Sequence, residues 1–300
     1  MKITIAGGSG FLGGAFADTL LEKGHEVFIL TRKKKESGRT GLTYVQWLSE
    51  GSRPEHELVG IDVFINFAGE SLNSGRWTTE RKERLLMSRL AAANEAVRIM
   101  AAMEEKPKVH IAASAVGFYG TSDDKTFTEV SPSGNDFLAD VVKRWEDASL
   151  QAAHFGIRTV LCRFGIILDG KEGALPRIAL PYKMFGGGTV GSGRQWVSWI
   201  HLDDAVSGIL FAIENEGVSG PVNFTAPEPV PMKEFGKTVG KVLGRPHWLP
   251  VPGFALKLLL GEMSTLVLEG QRVLPEKLHD MGFNFRFPEL EPALKNIYKS

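Results

Sequence analysis

Hydrophobic positions in the first two-thirds of the chain follow two alternating periods. Short runs rich in β-branched residues, "KITIAG", "HEVFILTR", "LTYVQW", "DVFINFAG", "KVHIAASAVG" and "IRTVLCRFG", predict six strands. Between several of them the apolar residues recur every three or four positions. "FLGGAFADTLLEKG" predicts a helix closed by Gly24, and a longer helix runs from about Thr78 to Met103 with Leu85, Leu86, Leu90, Ala93, Val97 and Met100 on one face. "NDFLADVVKRWEDASLQAAHFG" predicts a third. Strands that are apolar almost throughout, alternating with helices, mean a parallel sheet covered on both faces. With right-handed crossovers the fold class is α/β, a doubly wound parallel sheet of the Rossmann type.

The pattern changes after about residue 165. "GGGTVGSGRQ" reads as a flexible loop, and "WVSWIHLDDAVSGILFAIEN" as a short strand followed by a helix that begins near Asp203 or Asp204. "GPVNFTAP" adds a strand. From Pro229 onward come short helices separated by proline and glycine, among them "MKEFGKTVGKVLG" and "FPELEPALKNIY". These predict a smaller, mostly helical C-terminal lobe.

Glycines at 7, 8, 10, 13 and 14 weaken a strand-to-helix junction unless something must approach the backbone there. Gly7, Gly10 and Gly13, with Phe11 and Leu12 between them, match a dinucleotide fingerprint in the context that gives it meaning, after the first strand and at the start of the first helix. One glycine permits the tight turn, one lets the main chain reach a pyrophosphate, and one lets helix pack on strand. The helix N-terminus then presents free N–H groups to the phosphates. At the end of the second strand, where an acidic residue would hold a ribose hydroxyl, the chain reads Thr31, Arg32 and then Lys33 to Lys35. A guanidinium there can pair with a 2′-phosphate, so the expected coenzyme is NADP(H) with Arg32 as its main reader. Residues 1–225 form the expected NAD(P)-binding domain, with 165–200 contributing to the substrate lobe, and 226–300 a C-terminal substrate or lid domain.

Composition narrows the function further. The 300 residues carry 35 Lys and Arg against 35 Asp and Glu, so no broad cationic surface is available for nucleic acid or an anionic membrane. The single cysteine, Cys162, lies in a strand pattern and reads as a buried hydrophobe. The seven histidines show no metal-ligand spacing, and no G-x-S-x-G elbow offers a hydrolase nucleophile. "VPGFALKLLLGEM" is too short and too interrupted to span a bilayer, and a strand starting by residue 3 leaves no room for a signal peptide, so a cytoplasmic protein is expected.

"GGSGFLG", "INFAGESL", "SAVGFYG", "DFLADVVKRWE", "WVSWIHLDD" and the tail "VLEGQRVLPEKL" with "GFNFRFPELEPAL" together resemble the extended short-chain dehydrogenases/reductases, and more narrowly the bacterial YfhF/YfcH-type epimerase family. The resemblance covers essentially the whole chain. It implies an NADP-binding core and a lobe bounding the substrate cleft. It also implies that Phe67, Ala68 and Gly69 lie beside the adenosine ribose and diphosphate, and that Arg89 approaches the cofactor from the opposite side. Glu83, earlier on the same helix, is a weaker cofactor candidate whose alternative is a surface ion pair.

One departure bears on catalysis. Short-chain reductases use a Tyr-x-x-x-Lys pair, in which an ammonium lowers the pKa of a proton-transferring phenol. The accompanying serine is present as Ser114. The helix, however, offers Ala139 and Lys143 in one register, or Leu138 and Val142 in the other. Tyr119, in "GFYG" on the loop after Ser114, is the candidate substitute, with a packed loop tyrosine as the alternative. His201 could donate a proton or cap a helix, and Arg163 could meet an anion or pair with a carboxylate. Two classes follow: an NADP(H)-dependent oxidoreductase or epimerase acting on a small molecule at Ser114 and Tyr119, or a non-catalytic NADP(H)-binding sensor. Tryptophans near 196 to 199, expected at the surface, suit a cleft or a homo-oligomer interface.

Overall fold

The computed structural model describes residues 1–33, 35–72 and 75–299. Lys34, one of the three lysines that follow Arg32, lies outside them. Seven strands form the main sheet: β1 (Lys2–Ala6), β2 (Glu26–Thr31), β3 (Leu42–Gln46), β4 (Val63–Asn66), β5 (Val109–Ala115), β6 (Arg158–Phe164) and β7 (Gly220–Phe224). All pairings are parallel, and the spatial order is β3-β2-β1-β4-β5-β6-β7. The order reverses between β1 and β4. Ala6 stands opposite Leu30 on one side and Asn66 on the other, so the C-terminal ends of these strands are level. A crevice at such a reversal is where ligands bind in open α/β sheets.

Alternate side chains of each strand serve the two faces. Ile3, Ile5, Ile65 and Ile111 pack with Phe16 and Leu20 of α1 (Phe11–Glu22). Ala6, Leu30, Val45 and Phe64 pack on the other side with Ala92, Ala96, Ile99 and Met100 of α2 (Thr79–Ala102). The α2 bounds agree with its apolar periodicity. α3 (Phe137–Leu150) lies beside α2, starting where the Asp136 carboxylate accepts the Ala139 N–H at 2.9 Å.

A second core joins residues far apart in sequence. Leu168, Leu175, Ala179, Tyr182, Val197 and Trp199 pack with Phe235 and Val239 of α6 (Met232–Leu243) and with Ala293 and Leu294 near the C-terminus. It contains α4 (Leu175–Lys183), a helix that two prolines argue against. Pro176 sits in the first turn, where its missing N–H has no partner to lose, and only Pro181 is internal. The glycine-rich 186–194 stretch is closely packed, which corrects the expectation of a loose loop. A Cβ on Gly188 would lie 1.9 Å from the Leu249 carbonyl oxygen. The tryptophans are corrected too. Trp199 is fully buried and donates to the Glu228 carbonyl, and Trp196 is half-buried.

Three more helices flank these two cores. α5 (Leu202–Glu214) returns the chain to the sheet. Its Asp204 carboxylate, buried, accepts the N–H groups of Arg286 and Phe287 and so ties down the C-terminal tail. α7 (Gly253–Leu260) is amphipathic only weakly and has no buried residue, while α8 (Leu290–Lys299) packs on α6.

Candidate functional site

The glycine turn leaves the end of β1 beside the end of β4. Gly7 has φ +82°, and a Cβ on it would stand 2.7 Å from the Phe67 carbonyl carbon and 2.9 Å from the Ala68 nitrogen. A Cβ on Gly13 would stand 2.3 Å from the Gly7 oxygen. The turn closes through a Gly10 N–H to Gly7 carbonyl bond of 3.0 Å. α1 then starts at Phe11 behind Gly10, which supplies no side-chain cap, so its leading N–H groups, from Phe11 and Leu12 onward, have no side-chain partner at the crevice. A bare backbone cradle and an uncapped helix start are what a pyrophosphate requires, and the residues present fit a dinucleotide.

The other expected cofactor residues divide. Thr31 and Arg32 end β2 next to this turn, and Arg32 is exposed. Phe67, Ala68 and Gly69 follow β4 directly. Arg89 reaches them from α2, with its Cγ 3.4 Å from where a Cβ of Gly69 would lie. Its guanidinium donates to the Leu85 carbonyl and stacks on Trp145 at 5.2 Å. Burial lowers its pKa to about 10, which keeps it charged at neutral pH. Glu83, by contrast, is exposed and lies six residues from Arg89 on α2, so the two point away from different faces of the helix. The structure does not bring Glu83 to the crevice.

Beyond the turn a cavity of about 650 Å³ opens between the sheet edge and the lobe. Its floor is Ala115, Phe164 and Gly165 at the ends of β5 and β6, next to Phe11. One wall is α3, and the opposite wall is Thr265 to Gln271. On α3 the residues that line it are Phe137, Leu138, Val141, Val142 and Trp145, while Ala139 is buried behind and Lys143 faces solvent. The register left open by the sequence is thus resolved: Leu138 and Val142 occupy the cavity face, and no titratable group stands there.

Ser114 and Tyr119 have surroundings unlike those expected of reacting groups. Neither lines the cavity. Ser114 Oγ donates to Glu146 Oε1 at 2.5 Å, and Arg163 forks onto Glu146 with two bonds of 2.8 Å. Arg163 also donates to the Tyr119 hydroxyl at 2.9 Å, and that hydroxyl donates to Asn223 Oδ1 at 2.6 Å. All five side chains are buried. Burial raises the Tyr119 pKa despite the neighbouring guanidinium, so the phenol stays protonated at neutral pH. Arg163 therefore pairs with a carboxylate, the second of its two expected readings. His201 likewise takes the structural one: its Nδ1 accepts the Asp203 N–H at 3.0 Å and caps α5.

Comparison with known proteins bears directly on this crevice. Residues 3–142 match the NAD dependent epimerase/dehydratase family, and residues 251–297 match a domain of unknown function, DUF1731. The epimerase family protein YfhF of Bacillus subtilis is 52% identical over 298 residues, covering 99% of this chain and 98% of that protein. The chain belongs to this epimerase family. Among solved structures, the human epimerase family protein SDR39U1, solved with NADPH, aligns over 100% of both chains at 30% identity and a TM-score of 0.88. A nucleoside-diphosphate sugar epimerase from Corynebacterium glutamicum is 31% identical with a TM-score of 0.80, over 99% of this chain and 58% of that one. UDP-glucuronic acid 4-epimerase from Bacillus cereus, at 14% identity and a TM-score of 0.79, shares the fold.

Membership makes this an NAD(P)-binding protein of the Rossmann type. Sequence reasoning missed Glu146 and Asn223 as the buried partners of Ser114, Arg163 and Tyr119. Glu146 stands in the "KRWE" segment that marks the family, and that was the available signal; Asn223 carries none. Among the described residues no three His, Cys, Asp or Glu side chains gather to hold a metal, and no helix is long and apolar enough to cross a membrane.

Proposed function

We propose that the protein is an NADP(H)-dependent oxidoreductase or epimerase that acts on a small carbonyl or hydroxyl compound. The observation that carries the reading is the main-chain cradle, in which Gly7 and Gly13 have no room for a Cβ beside an uncapped helix start. The NADPH in the human relative supports the choice of coenzyme. Arg32 supports it independently, as an exposed guanidinium at the end of β2 suited to a 2′-phosphate.

In this reading the N–H groups at the start of α1 hold the pyrophosphate, Thr31 and Arg32 hold the phosphorylated ribose, and Phe67 to Gly69 line the adenosine side. Arg89 closes the site from α2. A nicotinamide coenzyme bound there supplies or accepts a hydride. Ser114, one residue before the floor residue Ala115 and with its proton committed to Glu146, acts in this reading as a positioning residue behind the floor. Tyr119, protonated and clamped by Arg163 and Asn223, fixes that serine's surroundings from behind.

The apolar face of α3 supports a second reading, a non-catalytic NADP(H) sensor, because no phenol–ammonium pair reaches the cavity. Calorimetry with NADPH and NADH, followed by a stereospecific hydride-transfer assay against a carbonyl panel, separates them. Arg32→Ala is expected to weaken NADPH by about ten- to a hundredfold, the worth of a charge-assisted hydrogen bond, and to leave NADH nearly unchanged. Equal loss of both would remove Arg32 as the phosphate reader. Tight NADPH binding with no turnover on any carbonyl, before or after Ser114→Ala, would establish the sensor instead.

A further inference from the structure

The cavity is built for a different kind of second reactant from the nucleotide sugars that fold relatives take. Its α3 wall presents Leu138, Val142 and Trp145, and the mouth is flanked by Trp77 and Phe137, packed edge to face at 5.6 Å, with Leu266 opposite. Its three lining hydroxyls are already engaged with the protein, and among the described lining residues the Trp145 indole N–H is left as a single buried donor able to meet one carbonyl or hydroxyl oxygen. Ser198 Oγ donates to the Gln271 carbonyl and accepts the Val273 N–H, Thr265 donates to the Glu262 carbonyl, and Thr121 donates to Glu269. A ligand crowded with hydroxyls would bury many of them without partners there.

Charge points the same way. The ionic side chains on the lining are three carboxylates, Asp136, Glu262 and Glu269, against one cation, Arg89, which lies on the coenzyme side beside Gly69. Other nearby cations have partners of their own. Arg76 forks onto the Leu258 and Leu259 carbonyls at the end of α7, Lys82 pairs with Glu262, and Arg272 stacks on Trp196 at 5.0 Å. Among the described residues, a second diphosphate would face the acidic lining with Arg89 as the only cationic side chain on it.

We infer that the second reactant is an uncharged, largely apolar carbonyl or alcohol with an aromatic or alicyclic body and no phosphate. The inference rests on the proposed function for the coenzyme half of the site. Its redox balance is that of the coenzyme couple: a hydride and a proton add across the substrate C=O as NADPH becomes NADP⁺, or the reverse.

The test uses a complex that cannot turn over. The full-length protein, saturated with NADPH, is titrated by calorimetry with 2-naphthylmethanol and, in parallel, with UDP-glucose. Naphthylmethanol is expected to bind saturably and at least about tenfold more tightly than UDP-glucose. Leu138→Asp is expected to weaken naphthylmethanol by at least that factor while NADPH affinity, measured on the same sample, stays unchanged and so certifies the fold. Tighter binding of UDP-glucose, or no naphthylmethanol binding to protein that does take NADPH, overturns the inference. Should NADPH itself fail to bind, the proposed function falls, and the same two titrations on the free protein still decide the ligand class.

Discussion

Two glycines one residue apart make opposite demands. A Cβ at Gly13 would meet the Gly7 oxygen at 2.3 Å, whereas at Gly14 the nearest atom is 3.7 Å away. Gly13→Ala is therefore expected to cost about 1–3 kcal/mol of stability and to abolish NADPH binding. Gly14→Ala, inside α1, is expected to gain about 0.5–1 kcal/mol; thermal melting and calorimetry read both. A buried histidine sets a pH dependence. His110 is completely buried on β5, donates Nδ1–H to the Phe64 carbonyl at 3.1 Å and leaves Nε2 without a partner, and burial drives its pKa to about 4. The unfolded chain takes up that proton near pH 6.5 and the folded chain only near 4, so this contribution is complete above 6.5 and fades as pH falls through that window. Roughly 3 kcal/mol is at stake at the acid end. Urea denaturation at pH 7 and pH 4.5 is expected to show the loss, and His110→Gln to remove it. The glycine fingerprint was legible because its meaning is local. The Ser114–Glu146–Arg163–Tyr119–Asn223 chain was not, because its members come from five segments that only the folded sheet edge brings together.

Whole elements were legible where periodicity was strong, as in α2, and ambiguous where turn chemistry competed. The α3 helix was plain in its pattern, yet its facing was not, since Leu138 and Ala139 are equally acceptable in a helix and only packing against α2 and the sheet selects between them. Its start depends on Asp136, which caps the Ala139 N–H. Asp136→Ala is expected to destabilise the protein by about 1 kcal/mol, read as a lower urea midpoint with an unchanged slope. α4 was hidden by Pro176 and Pro181, and the 186–194 glycines looked loose because composition cannot tell an open turn from a backbone pressed against Leu249.

At the level of the molecule, alternation of strand and helix was enough for the doubly wound sheet, while the stretch after residue 165 divides between the second core and a return to the sheet through α5 and β7. What the pattern did not carry was the second core, where Leu168, Tyr182 and Trp199 meet Phe235 and Leu294 across long sequence separations. The all-parallel sheet also governs how the chain acquires its shape. No two neighbouring strands can be joined by a hairpin: Ile3 must wait for Val63, Val109 for Arg158, and Val160 for Gly220. Each pairing closes a long loop before any contact rewards it, so assembly is dominated by the search for distant partners. After a brief unfolding pulse that preserves native prolyl bonds, the return of tryptophan fluorescence, with Trp47 and Trp199 deep in the interior, is expected on the order of seconds rather than milliseconds.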